Sequence, residues 1–274
     1  MNQIFFEAHS TLTFIGSYAF GECIGSKEII IPSSVITLGK NSFIKCRELI
    51  NVTFESPSSL LTIGSGSFKQ CISLKTVEIP SSAKMIENKA FEQCSKLNPV
   101  IFESQSSLSS IGFDAFTCCS SLTAITIPNS VMSIENGSFN NCRNLSQVLF
   151  DDDSSLSSIG DDSFCSCPSL IKINIPDSVT SIGNQSFYNC SSLKKVNFSE
   201  NSSLKSIGSN AFKKCPSLEQ VKIPRSVTTL VDISVDENEI LKDNKETHIE
   251  ISPYQTLIND NEFNGYILLQ QIKI

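Results

Sequence analysis

Hydrophobic residues recur along this chain at distances too long for any single helix or strand. A Phe-x-x-Cys unit occurs nine times, beginning at Phe20, Phe43, Phe68, Phe91, Phe116, Phe139, Phe164, Phe187 and Phe212, with spacings that alternate between 23 and 25 residues. Two unit types therefore share a combined period of 48, which the short-unit prolines Pro32, Pro80, Pro128, Pro176 and Pro224 repeat. Counting from each Cys, the third position is Leu in eight of nine units (Ser26 is the exception), the sixth is always Val or Ile, and the eighth alternates Ile and Phe. The last two lie two residues apart, so the spacing predicts a strand that turns both side chains to one face.

The short unit follows its strand with Ile-Pro-x-Ser-Val, as at 127–131, and the long unit with Phe plus acidic and Ser residues, as in FDDDSSL at 150–156. Proline cannot continue a ladder and marks the strand's end. An extended x-x-Ile-Gly segment follows, then a residue of helix-capping type (Ser17, Ser65, Asn88, Asn136, Asp161, Asn184, Ser209), a small residue and the Phe. That order predicts one short helical turn before each Cys. A single unit of strand, turn, extended segment and helical turn cannot bury its own Leu, Val, Ile, Phe and Cys, so the units must stack. With strands ~4.8 Å apart the result is a solenoid roughly 45 Å long, with the Phe and Cys residues forming interior columns.

The composite pattern, Leu-x-x-Val/Ile-x-Ile followed by Pro-x-Ser-Val-x-x-Ile-Gly-x-x-Ala/Ser-Phe-x-x-Cys, resembles the BspA-like (Treponema pallidum type) leucine-rich repeats over about residues 1–230. The resemblance implies a noncatalytic interaction scaffold of the kind found in bacterial and protist surface antigens. The expected fold class is a β-rich leucine-rich-repeat solenoid with a small irregular or β cap at its C-terminal end.

The cap region is set apart by charge. Residues 231–274 hold nine acidic and three basic residues, so -6 of the net -7 lies there and the 1–230 body stands near neutrality at -1. A near-neutral body argues against a nucleic-acid partner. Residues 232–250 read as an acidic linker or irregular cap, THIEIS alternates like a strand, and Asn264-Gly265 is a hairpin signal. Met1, Ile4 and Phe6 stand 48 residues before Leu49, Val52 and Phe54, so the chain starts inside a coil. Neither a signal peptide nor an apolar run long enough to span a membrane is evident. The expectation is a cytoplasmic protein, or a cell-surface one if the chain belongs to a longer protein. The uncapped first coil also favours self-association through open solenoid ends.

Candidate chemistry is sparse. Of eleven cysteines, nine are the repeat position and only Cys118 and Cys165 are extra, so the column reads as small buried hydrophobes. Disulfides between adjacent coils are conceivable on spacing, but the odd number in the column and the absence of a leader oppose them. His9 and His248, the only histidines, lie at opposite ends, which removes zinc sites and Cys–His or Ser–His catalysis. Asp151, Asp152 and Asp153 offer clustered carboxylates but lack a calcium loop's glycine-spaced pattern, and read as a solvated turn. Seven Asn-x-Ser/Thr sequons (Asn51, Asn136, Asn144, Asn184, Asn189, Asn197, Asn201) in a Ser- and Asn-rich chain do not establish secretion. No enzyme activity, cofactor or metal is expected.

What remains is a surface. Strand residues between the buried columns must face solvent. Read along the chain they are Phe5, Ile30, Thr53, Glu78, Ile101, Thr126, Leu149, Asn174, Asn197 and Lys222, with Ile50, Thr123, Ile171 and Lys194, and then Ala124, Gln147, Lys172 and Lys195, in the neighbouring columns. Ile101, Thr126 and Leu149 form an apolar centre, and Lys172, Lys194, Lys195 and Lys222 with Asn174 and Asn197 a polar, basic flank. An apolar centre with a charged rim suits a protein ligand of unknown identity. The alternatives are an adhesin for host matrix or glycans, and a self-assembling structural protein.

Overall fold

The computed structural model describes residues 4–7, 9–230 and 248–250. Each coil contributes one long and one short strand. The long strands are Glu28–Ile31, Asn51–Phe54, Thr76–Ile79, Val100–Phe102, Ala124–Ile127, Gln147–Phe150, Lys172–Asn174, Lys195–Asn197, Gln220–Lys222 and His248–Glu250. Ten two-residue strands, from Phe14–Ile15 to Thr229–Leu230, form a second, unbroken parallel sheet. Every strand pairs with its counterpart one coil on: Ile29 with Val52, Thr126 with Leu149, Lys172 with Lys195. This register puts like residues in columns because a slip of one residue would turn every buried Val or Ile to solvent.

The columns are the core. Phe43, Phe68, Phe91, Phe116, Phe139, Phe164 and Phe187 have no exposed surface. Successive rings from Phe20 to Phe212 stack with centroids 5.2–5.6 Å apart and planes within 14° of parallel. Leu49, Leu74, Leu97, Leu122, Leu145, Leu170 and Leu193 are equally buried, beside the column of Val and Ile. The alternating Ile and Phe column behaves unevenly: Ile31, Ile79 and Ile127 are buried, whereas Phe54, Phe102 and Phe150 are partly exposed and pack against the core's edge.

The long-strand sheet is divided in two, four strands before and five coil strands after, with His248–Glu250 as the sixth of the second group. The division falls between Val100–Phe102 and Ala124–Ile127. At this seam the Asn98 Oδ1 accepts from the Thr123 amide (3.4 Å) and hydroxyl (3.2 Å). The Phe column runs through undisturbed, with Phe91 and Phe116 5.2 Å apart.

The predicted helical turn is not formed; the described residues contain no helix. Each segment between Gly and Cys is instead a run of β-turns with two left-handed residues four apart, such as Asn41 and Lys45 (φ 56° and 57°) or Asp114 and Cys118 (53° and 62°). Alternate amides bond within the coil and to the next: Ser42 N–H to Gly39 O (3.2 Å), but Asn41 N–H to Ser65 O and Phe43 N–H to Ser67 O (both 2.8 Å). A right-handed helical turn would point all these amides along its own axis and leave the next coil's carbonyls unmet. Of the residues read as helix caps, Asn88, Asn136, Asp161 and Asn184 each accept through a side-chain oxygen the backbone N–H of the next coil, at Phe113, Asp161, Asn184 and Ser209 (2.7–3.0 Å), and the left-handed position is the residue after each of them.

The Pro-x-Ser-Val turns are tied down by their serines. Ser34, Ser82, Ser130 and Ser178 each donate a hydroxyl to a long-unit carbonyl of the preceding coil, at Leu12, Leu60, Leu108 and Leu156 (2.7–2.9 Å). At the C-terminal end, His248–Glu250 adds to Gln220–Lys222 in parallel, Glu250 in register with Lys222, so a strand does form within THIEIS. The predicted hairpin at Asn264-Gly265 and most of the acidic linker lie outside the described residues.

Candidate functional site

The long-strand face is built by the alternation that builds the core. In Ala124–Ile127 the side chains of Ile125 and Ile127 go in and Thr126 goes out; in Gln147–Phe150, Val148 goes in and Leu149 out. Ile101 is 43% exposed, Leu149 41% and Ile171 50%, and Thr126, Lys172, Asn174, Lys194, Lys195 and Lys222 are exposed as well. Asn197 is half-buried, and its amide donates to Asn174 Oδ1 at 2.6 Å. Lys172 and Lys195 are register partners, which sets two ammonium-bearing stems one strand spacing, ~4.8 Å, apart at their origins. The structure thus brings Lys172, Lys194, Lys195, Asn174, Asn197 and Leu149 together on coils 6 to 8, counting coils from the Glu28–Ile31 strand; Ile101 lies nearer the seam.

Beside these residues runs a groove that the sequence reading did not anticipate. It is lined by Leu149, Phe150, Asp151, Asp153, Asn174, Asp177 and their neighbours, at the end of the strands opposite the lysines. Asp151, Asp152, Asp153 and Asp177 are exposed, and Asp177 accepts a hydrogen bond from the Ser199 hydroxyl. The face is therefore dipolar across its width: lysines where the strands begin, asparagines midway, carboxylates where they end. The solenoid as a whole is segregated along its length, since residues 97–171 carry eight acidic and one basic residue and residues 172–230 eight basic and three acidic.

The short-strand sheet carries a second feature that the sequence reading passed over. Phe14, Ile36, Leu61 and Met85, from four successive coils, are 52%, 39%, 38% and 41% exposed. They stand one or two residues before the buried Ile or Leu of each coil, so the periodic pattern contained the signal.

The thiols are structural. None of the eleven cysteines forms a disulfide. Column thiols from Cys46 to Cys215 each donate to the carbonyl of the Phe one coil earlier, for example Cys94 Sγ to Phe68 O (3.1 Å) and Cys190 Sγ to Phe164 O (3.2 Å). Burial pushes Cys71, Cys94, Cys119, Cys142, Cys167 and Cys190 well above the ordinary thiol range and Cys215 to about 12. Cys118 occupies a left-handed turn position and is half-buried, its Sγ accepting from Asn141 Nδ2 at 3.3 Å. Cys165 also lies outside the column but is 9% exposed, less accessible than its place in the sequence suggested. Among the described residues no three His, Cys, Asp or Glu side chains are placed to hold a metal ion, and no helix is long and apolar enough to cross a membrane.

A parallel solenoid with a Leu, Val/Ile, Phe and Cys core in every coil is a leucine-rich-repeat architecture. The chain belongs to the BspA type leucine rich repeat family, whose repeat region matches in six copies over residues 2–113 and 109–238. Among solved structures it resembles the Treponema pallidum leucine rich repeat protein, at 26% identity over 75% of this chain and 82% of that one, with a TM-score of 0.54. A leucine rich cell surface protein of Faecalibacterium prausnitzii is 24% identical over 89% of this chain and 79% of that one, TM-score 0.46. The pneumococcal vaccine antigen PcpA is 20% identical over 82% and 68%, TM-score 0.42. No curated protein matches the chain.

Proposed function

We propose that this leucine-rich-repeat scaffold recognises a protein ligand, without catalysis, through the long-strand face of coils 4 to 9. The observation that carries the reading is the placement of Leu149 and Ile171, 41% and 50% exposed, beside Lys172, Lys194 and Lys195. Burial within the solenoid accounts for neither the apolar residues nor the clustered like charges. An apolar anchor gains by leaving water, and an acidic flank relieves the repulsion among lysines. The partner would therefore present an apolar side chain next to carboxylates. The test is to identify partners by proximity labelling and compare capture by the native chain and by a Lys172→Glu, Lys194→Glu, Lys195→Glu, Lys222→Glu variant. Loss of capture is expected, steeper at low salt because exposed charges are screened beyond ~10 Å at 0.1 M. Equal capture by both would remove this face from consideration.

A cell-surface role is the second reading, favoured by membership of a family whose resemblance implies surface antigens. Antibody labelling of intact against permeabilised source cells separates it from the cytoplasmic location.

A further inference from the structure

The long-strand face at coils 6 to 8 is complementary to itself. Resting on the reading that this face binds protein, we infer that its partner includes a second copy of this chain, docked face to face about a two-fold axis parallel to the solenoid.

Such an axis leaves the position along the solenoid unchanged and reverses the strand direction. Lysines at the strand starts of one copy then meet carboxylates at the strand ends of the other. Lys172 and Asp177 belong to the same coil, and Asp151 and Asp153 end the coil before, so both charge rows occupy the same level of the solenoid. From residue 172 to residue 175 the strand advances about 10 Å, which keeps the rows apart within one copy and brings opposite rows together between two. Leu149, 41% exposed, comes near the axis and meets its own copy, giving the contact an apolar centre. The groove bordered by Asp151, Asp153 and Asp177 receives the lysine stems. Under a two-fold operation each attraction is made twice, the property that lets one patch act as both halves of an interface.

The experiment is sedimentation velocity on the full chain. The native protein should associate to dimers at about 100 µM in about 50 mM salt, and its dissociation constant should weaken roughly tenfold or more in about 500 mM salt. Two variants sharpen the result: one with Asp151→Lys, Asp153→Lys and Asp177→Lys, the other with Lys172→Glu, Lys194→Glu and Lys195→Glu. Lysine is tolerated at the left-handed position of Asp153 (φ 55°), since Lys45, Lys89 and Lys214 hold φ of 57–61° in the same chain. Each variant alone carries two rows of one sign and should stay monomeric, with its circular dichroism confirming the fold. Mixed in equal amounts, the two should form a heterodimer, because every contact is again between opposite charges.

A native protein that stays monomeric at low salt overturns the inference. So does a mixture that fails to associate, or self-association indifferent to all six substitutions, which would point to the open ends instead. Failure here leaves the capture test above intact, because a heterologous partner needs the lysine row and not the groove.

Discussion

Replacing Phe187 by Ala should cost about 4–6 kcal/mol and should be felt unevenly. The ring is fully buried and stacks between Phe164 (5.4 Å) and Phe212 (5.6 Å), so its loss opens a gap between two coils and ends two ring contacts. Deleting a buried Phe side chain costs roughly 3–5 kcal/mol through lost transfer energy and the cavity left behind. Each aromatic pair adds ~0.5–1.5 kcal/mol beyond area, part of which the transfer figure already contains. The coils do not share this loss equally. In a solenoid each coil contacts only its neighbours, and stability is nearly a sum of unit and interface terms. The defect separates the last coils from the seven that begin at Phe20 to Phe164. Hydrogen exchange should therefore show early loss of protection from about residue 188 to 230, while amides around Phe68 and Phe91 keep theirs until global unfolding. Denaturant titration supplies the magnitude. Unchanged stability would refute the stacked-column account, and a loss of protection spread evenly over all coils would refute the nearest-neighbour argument while leaving the burial intact.

The buried thiols set an alkaline limit: seven column thiols are held by burial above their unfolded value of about 8.5, so their contribution to stability is complete below that pH and falls as pH rises above it. Unfolding by about pH 10 is expected in circular dichroism, and a fold intact at pH 11 would contradict the assignment. Brief alkylation of the folded protein followed by mass spectrometry should mark Cys118 first, with Cys165 and the column protected; equal labelling throughout would mean that the column is open. Ser178→Ala removes the hydroxyl bonded to Ser154 O (2.8 Å) and Leu156 O (2.7 Å) and should lower stability by about 1–2 kcal/mol in denaturant titration. No measurable change would show that water replaces it.

Much of this protein was determined by its sequence alone. The alternating 23- and 25-residue spacing, the two-residue offset between Val148 and Phe150, and the Pro176 that ends its strand define coil, strand phase and register. Strict repetition does this because a column of identical side chains has one register that buries it. For the same reason the outward places of Thr126, Leu149, Asn174 and Lys172 could be read directly. The turns could not. Asn41 and Lys45 suit a helical turn locally, and only the carbonyls of the next coil, at Ser65 and Lys69, draw their amides into left-handed turns instead. Thiol donation from Cys190 to Phe164 O is likewise a bond between coils, 26 residues apart, with no local trace. The dipolar face is the clearest case. Asp153, read as part of a solvated turn, stands 24 residues from Asp177 in the chain. Stacking alone lays them along one groove opposite Lys172 and Lys195, because charge acts through distance in space and the chain's order carries no measure of that distance.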